Sequence, residues 1–233
     1  MVGFALVKWR CSVDRWLIIA SERKDNMGTP TKVTAILGTY RKAGVIDSAV
    51  EEILAAAREA GAETKKIYLI DRHIEFCTNC RVCTQQEGDS RGQCLLQDDI
   101  QELLDELERS DAIVLASPMN FYTVTAVMKR FIERLVCYAY WPWGKAGPKI
   151  RKRQKTKRAV VVASSAAPSL LARLTTRMVG LMKGCAKLLG AKTVDVLFIG
   201  LVAGEQKADI GPRARTKARR LGKKLANRNT PQA

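Results

Sequence analysis

No apolar run in this 233-residue chain is long enough to serve as a membrane span. The best candidates, such as Val194–Val202, are interrupted by Asp195 or fall short of the roughly 20 residues a bilayer core requires. A secretory signal is equally lacking, because the short apolar scrap Trp16–Ala20 is preceded by Lys8, Arg10, Asp14 and Arg15. Internal repeats are not visible, and neither the Walker A pattern nor G-x-G-x-x-G occurs. Zinc-finger, helix-turn-helix and RRM signatures are also missing, which argues against nucleic acid as a partner. Acidic residues are few, 23 against 40 Lys and Arg, leaving a net charge of +17. Such an excess favours anionic neighbours and says nothing about fold.

What is present is globular usage: 47% hydrophobic and 27% charged residues, which exclude wholesale disorder, collagen and coiled coil. A chain of this size buries a sizeable core without disulfides. Seven cysteines is an odd count, and four of them crowd one short stretch. That pattern points to metal or redox chemistry in a reducing, cytoplasmic setting rather than to a secreted disulfide framework. We expect residues 1–30 to be a disordered leader or to precede a true start at Met27, residues 31–204 to form the main domain with a cysteine loop at 71–97, and residues 205–233 to form a basic C-terminal helix and tail.

From Thr31 the pattern alternates between short β-branched runs and helical periodicity. Strands are expected at Lys32–Leu37, Thr64–Ile70, Ala112–Ala116, Arg158–Ala163 and Thr193–Gly200. Helices are expected at Ser48–Ala60, Asp98–Arg109, Val124–Cys137, Leu170–Leu189 and Pro212–Ala226. Alternation of this kind implies parallel pairing with right-handed crossovers. The fold class is therefore α/β, a flavodoxin-like doubly wound five-stranded parallel sheet of order 2-1-3-4-5 in three layers. Ligands in such sheets bind beyond the carboxyl ends of the strands, near the switch point.

Three loops at those ends carry unusual residues. The first, Gly38-Thr39-Tyr40-Arg41-Lys42-Ala43-Gly44, joins glycines, a hydroxyl and two cations to a helix N-terminus. It reads as an anion cradle for a phosphomonoester, or as an ordinary turn with solvated basic residues. The second, Ser117-Pro118-Met119-Asn120-Phe121-Tyr122-Thr123-Val124, offers an amide and aromatic surface to a flat heteroaromatic ligand, or is a capped turn whose aromatics pack inward. The third, Ser164-Ser165-Ala166-Ala167-Pro168, has small residues that let a ligand approach the backbone.

The strings G-T-Y-R-K-A-G and S-P-M-N-F-Y-T-V-T-A-V-M-K-R-F-I-E-R-L resemble the flavodoxin-like NADPH-dependent FMN reductase family, over about Thr31 to Gly200. By that resemblance Thr39, Arg41 and Lys42 hold the FMN phosphate. Pro118, Met119, Asn120 and Phe121 line the isoalloxazine, and Ser164 and Ser165 sit at its far edge. Val45-Ile46 stand where the family often has polar residues, and Ser48 compensates from the helix start. Asn120 takes the place of the usual aromatic. The activity implied is hydride transfer from NAD(P)H to FMN and onward to a quinone, flavin or other small acceptor, in a homodimer, with no catalytic acid or base.

Cys77, Cys80 and Cys83, followed by Cys94, resemble the cysteine loop of iron–sulfur flavoproteins in the same broad family, including the Asp98-Asp99 that follows. The resemblance implies a [4Fe–4S] cluster and electron transfer, although the Cys83–Cys94 gap is longer than usual. On the residues alone the loop fits a cluster, a four-thiolate zinc site, a thiol–disulfide pair, or reduced cysteines without metal. Cys137 and Cys185 read as core fillers, and His73 as a loop residue.

The remaining basic runs, Arg151–Arg158 and Arg213–Arg228, read as solvated surface, as attraction for NADPH phosphates or an anionic redox partner, or as a nucleic-acid or anionic-surface module on the same scaffold. The segment Trp141-Pro142-Trp143-Gly144 reads as a lid or dimer surface.

Overall fold

The computed structural model describes residues 29–151, 154–202 and 209–227. The leader expected at 1–30 thus falls almost entirely outside the described residues. From Thr31 onward the chain forms one compact unit.

Strands β1 (Lys32–Leu37), β2 (Glu63–Tyr68), β3 (Ala112–Pro118), β6 (Lys157–Ser164) and β7 (Ala191–Ile199) pair in parallel in the order β2-β1-β3-β6-β7. With the two-residue strands β4 (Ala139–Tyr140) and β5 (Lys149–Ile150) set aside as a separate antiparallel ribbon, this is the expected 2-1-3-4-5 arrangement. Helices are α1 (Val45–Glu59), α2 (Ile100–Arg109), α3 (Ala126–Arg134), α4 (Ser169–Thr175), α5 (Met178–Leu188) and α6 (Pro212–Ala226).

Both faces of the central strands are covered, which is why their sequences are nearly continuous apolar runs rather than alternating ones. On one face Ile36, Ile113, Leu115 and Val161 pack with Leu103 and Leu104 of α2, Phe131 of α3 and Met182 of α5. On the other, Val33, Ala35, Val114, Val160 and Val162 pack with Ile53 and Leu54 of α1 and Leu221 and Leu225 of α6. The strand period of two sends neighbouring residues to opposite layers.

Several elements depart from the sequence expectation: α1 begins three residues early, at Val45, and the helix expected at Val124–Cys137 ends at Arg134 in a 3-10 turn. The helix expected at Leu170–Leu189 is two helices, broken at Thr176 and Arg177. Thr176 is buried, donates its hydroxyl to the Tyr122 carbonyl and accepts the Met178 N–H at 3.1 Å, so a tertiary tie and a cap outweigh helical continuity. The strand after α1 stops at Tyr68, and Leu69–Asp71 turns into a 3-10 helix that leads to the cysteine loop. Finally, β3 runs past Ala116 through Ser117-Pro118, because Pro118 still pairs with Ser164.

Several cations of the basic runs are tied down rather than solvated. Arg151, Lys157 and Arg158 are buried. Lys157 donates to the carbonyls of Leu107 and Glu108, each at 2.6 Å, and Arg158 to Lys224 and Asn227. On α6, Arg215 and Arg219 pair with Glu52 of α1, and Arg219 also with Glu59. Lys217 and Arg220 reach Asp195 of β7. Much of α6's charge therefore ties the helix to its neighbours.

Candidate functional site

The first and second loops follow adjacent strands, and three hydrogen bonds lock them. Gly38 N–H donates to the Ala116 carbonyl at 2.8 Å, the Thr125 hydroxyl to the Gly38 carbonyl at 2.6 Å, and Val127 N–H to the Tyr40 hydroxyl at 3.2 Å. The third loop joins them through Met119 N–H, which donates to the Ser164 carbonyl at 2.8 Å. Thr39, Arg41, Met119 and Ser164 thus stand at the carboxyl ends of β1, β3 and β6, side by side across the switch point.

In the first loop Ala43 has a left-handed backbone, φ 59°. Its N–H donates to Asp47 Oδ2 at 2.7 Å, which stabilises that conformation. Asp47 also accepts from the Tyr68 hydroxyl at 2.6 Å and from Lys66 at 3.1 Å. Burial pushes this carboxyl up, but Tyr68, Ala43 and Lys66 outweigh it and hold it below its ordinary value. Gly44 caps α1 with no side-chain bond, so the first N–H groups of that helix are not closed off by a side chain. Thr39 is buried and accepts the Arg41 N–H at 3.2 Å. Lys42 pairs with Asp71 at 2.8 Å, and Ser48 lies a turn inside α1, its N–H bound to the Gly44 carbonyl.

The second loop holds a conformation that the sequence does not announce. Asn120 and Thr123 exchange backbone hydrogen bonds at 2.9 and 3.0 Å, and the two residues between them, Phe121 and Tyr122, have φ of 43° and 63°. This is the geometry of a type I′ turn, usually occupied by Asn-Gly. Two aromatic residues there cost about 1–2 kcal/mol each. The result is that Phe121 stands 98% exposed and Tyr122 68% exposed, so neither aromatic packs inward. Ser164 and Ser165 are both buried, and the Ser165 hydroxyl accepts the Ala167 N–H at 3.0 Å.

Cys77, Cys80, Cys83 and Cys94 line one small cavity of about 20 Å³. Cys80 is exposed, Cys77 and Cys94 half-buried, and Cys83 buried. Burial first, then the nearby Cys94, Cys77 and Cys80, push the Cys83 thiol up to about 11. Among the described residues no three Cys, His, Asp or Glu side chains converge on one metal position. A tetrahedral zinc would hold its sulfurs only about 3.8 Å apart, from Zn–S bonds of about 2.3 Å.

Sequence reasoning missed the rest of this cavity. Cys137, expected as a core filler, is buried and lines it too. Arg134, at the end of α3, donates to Cys94 Sγ at 3.3 Å, to the Glu75 carbonyl at 2.8 Å and to Asp98. Arg81 also lines the hollow, and its Nε is a buried donor without a partner among the described residues. The Arg81 guanidinium lies over the rings of both Trp141 and Trp143, at 3.9 and 4.2 Å, so the tryptophan segment packs on the cysteine loop. Arg151 ties the same loop from beneath, donating to the carbonyls of Cys83, Gln86, Gly88 and Ala139. Gly92 passes so close to Cys83 that a Cβ would lie 1.7 Å from its carbonyl oxygen.

Residues 31–195 match the model of the family described as NADPH-dependent FMN reductase. An iron–sulfur flavoprotein of Archaeoglobus fulgidus is 32% identical over 198 residues, 84% of this chain and 79% of that protein. Another, from Methanocaldococcus jannaschii, is 35% identical over 103 residues, 44% of this chain and 51% of the relative. Among solved structures, an FMN-dependent NADH-azoreductase from Bacillus anthracis in complex with FMN superimposes with a TM-score of 0.61 at 14% identity, covering 84% of this chain and all of that one. An NAD(P)H:quinone oxidoreductase from Methanothermobacter marburgensis gives 0.60 at 18%, covering 88% and 100%. At such identities the structural likenesses speak for the fold.

Proposed function

The chain belongs to the NADPH-dependent FMN reductase family and is an FMN-dependent NAD(P)H oxidoreductase, and we propose that it couples FMN to an iron–sulfur cluster held by Cys77, Cys80, Cys83 and Cys94. The observation that carries this reading is the single cavity lined by all four cysteines together with a buried guanidinium on Cys94. A bound cluster would need that hollow to open, since about 20 Å³ holds little more than one water; Cys80 is its exposed side.

FMN supplies hydride acceptance from NAD(P)H and release of electrons to a small acceptor. The protein supplies position and charge. Thr39, Arg41 and the uncapped start of α1 would hold the phosphate, with Lys42 and Ser48 contributing from the margin. Pro118, Met119, Asn120 and the outward Phe121 would line the ring, with Ser164 and Ser165 at its far edge. Backbone strain held at a ligand-facing turn is a recurrent mark of functional sites. Exposed Phe121 and Tyr122, near exposed Leu170, Leu171 and Leu174, support a homodimer in which a second copy covers the flavin. Ion pairing on α6 and burial of Arg151, Lys157 and Arg158 withdraw several cations of the basic runs from the nucleic-acid reading. No helix among the described residues is long and apolar enough to cross a membrane.

Anaerobic purification followed by an absorption spectrum and iron, sulfide and FMN analysis tests the reading. Flavin bands with about four irons per chain, lost in Cys83→Ser, are expected. FMN with zinc, or FMN with no metal after reconstitution, overturns the cluster assignment.

A further inference from the structure

Two arginines share the cysteine cavity, and they are held there by different means. Arg134 is fixed by the Asp98 carboxylate, with side chains 2% and 0% exposed, and by the Glu75 carbonyl. That pairing leaves its charge balanced, yet Nη2 still points an N–H at Cys94 Sγ, 3.3 Å away. Among the described residues Arg81 has no such balance. Its partners are two tryptophan faces and the carbonyls of Trp141 and Pro142, at 2.6 and 3.4 Å, none of which cancels a positive charge. Its backbone is held left-handed, φ 59°, between Cys80 and Cys83, and its buried Nε has no acceptor among the described residues. A buried donor without a partner is costly unless something at the site accepts from it.

Potentials of iron–sulfur clusters follow their net charge, the hydrogen bonds to their sulfurs and their exposure. A cation and an oriented N–H both favour the form carrying the extra electron, and low local dielectric strengthens them. We propose that Arg81, by its uncompensated charge, and Arg134, by its N–H on Cys94, are positioning residues that raise the reduction potential of the cluster. The assignment rests on the cluster reading above. The step concerned is addition of one electron, with no bond made or broken, the electron coming in the test from dithionite.

The experiment is an anaerobic, EPR-monitored dithionite titration of the full chain loaded with FMN, after iron and sulfide have been measured. Arg81→Gln is expected to lower the reduction equilibrium constant at least tenfold, about 59 mV for one electron. Arg81→Lys, which keeps the charge, is expected to stay within threefold of the unmutated protein. Arg134→Lys, which keeps the charge facing Asp98 but loses the planar fork, is expected to lower it at least threefold. Arg81 is partly exposed, so its variants fold even where Arg134→Lys does not. Iron missing from the unmutated protein defeats the cluster reading itself. Iron present, with Arg81→Gln unmoved or with Arg81→Lys falling as far as Arg81→Gln, defeats the arginine assignment alone.

Discussion

Replacing Arg134 by Met tests the buried ion pair that anchors α3 to the start of α2. The Asp98 carboxylate is fully enclosed and would keep only two donors, the N–H groups of Glu75 at 2.7 Å and Ile100 at 3.1 Å. Removing one partner of such a pair costs about 3–5 kcal/mol, because the other charge stays buried. For a chain of this size each kcal/mol moves Tm by about 2–4 °C, so a fall of roughly 6–20 °C is expected. The double variant Arg134→Met/Asp98→Asn removes the buried charge but keeps an acceptor for only one of the two N–H groups, which use different carboxylate oxygens, and is expected to recover part of that loss. The pH dependence has a definite sign. Burial pushes Asp98 up, but Arg134 and the Glu75 and Ile100 N–H groups hold it below its ordinary value. In the unmutated protein the pair therefore stabilises above about pH 4 and fades as pH falls further. Without Arg134 burial acts on the carboxyl with less opposition, so the deficit of the single variant shrinks on acidification towards pH 4. Calorimetry on FMN-loaded, iron-free protein reads both effects. A loss below about 1 kcal/mol, or a deficit independent of pH, refutes the reasoning.

Gly92→Ala sets a Cβ against the Cys83 carbonyl at 1.7 Å, where only backbone can yield; a loss of about 1–3 kcal/mol and less than half the iron per chain are expected from urea melts and metal analysis. Tyr122→Gly relieves a left-handed aromatic residue and should raise Tm of the FMN-free protein by about 2–8 °C while weakening FMN in a fluorescence titration; an unchanged Kd removes this turn from the flavin site. Arg151→Met strips charged donors from four carbonyls and should cost about 3 kcal/mol. Limited proteolysis should then cut within the 87–91 segment; resistance there would show that the loop holds itself.

The sheet was legible because its central strands announce themselves as β-branched runs ended by small or polar residues, and Lys32–Leu37 and Pro212–Ala226 match residue for residue. The Leu170–Leu189 periodicity is genuine on both sides of Thr176, and only a partner 54 residues away breaks it. Spacing brought out the four cysteines, but their surroundings were not readable. Arg81, Arg134 and Arg151 come from three separate stretches, and nothing local distinguishes a guanidinium that will stack on indoles from one that will meet solvent. The I′ turn was hidden for a different reason: Phe-Tyr is a poor choice there on propensity, so local rules point away from it.

Arginine also determines how far the shape of the cysteine pocket depends on the state of its thiols. Its three braces grip mainly main-chain oxygens, indole faces and one carboxylate, and only one contact involves sulfur. Guanidinium does not titrate in the physiological range. Were the proposed cluster lost, those contacts would remain, so the loop is expected to keep its course and to need only local opening for reloading.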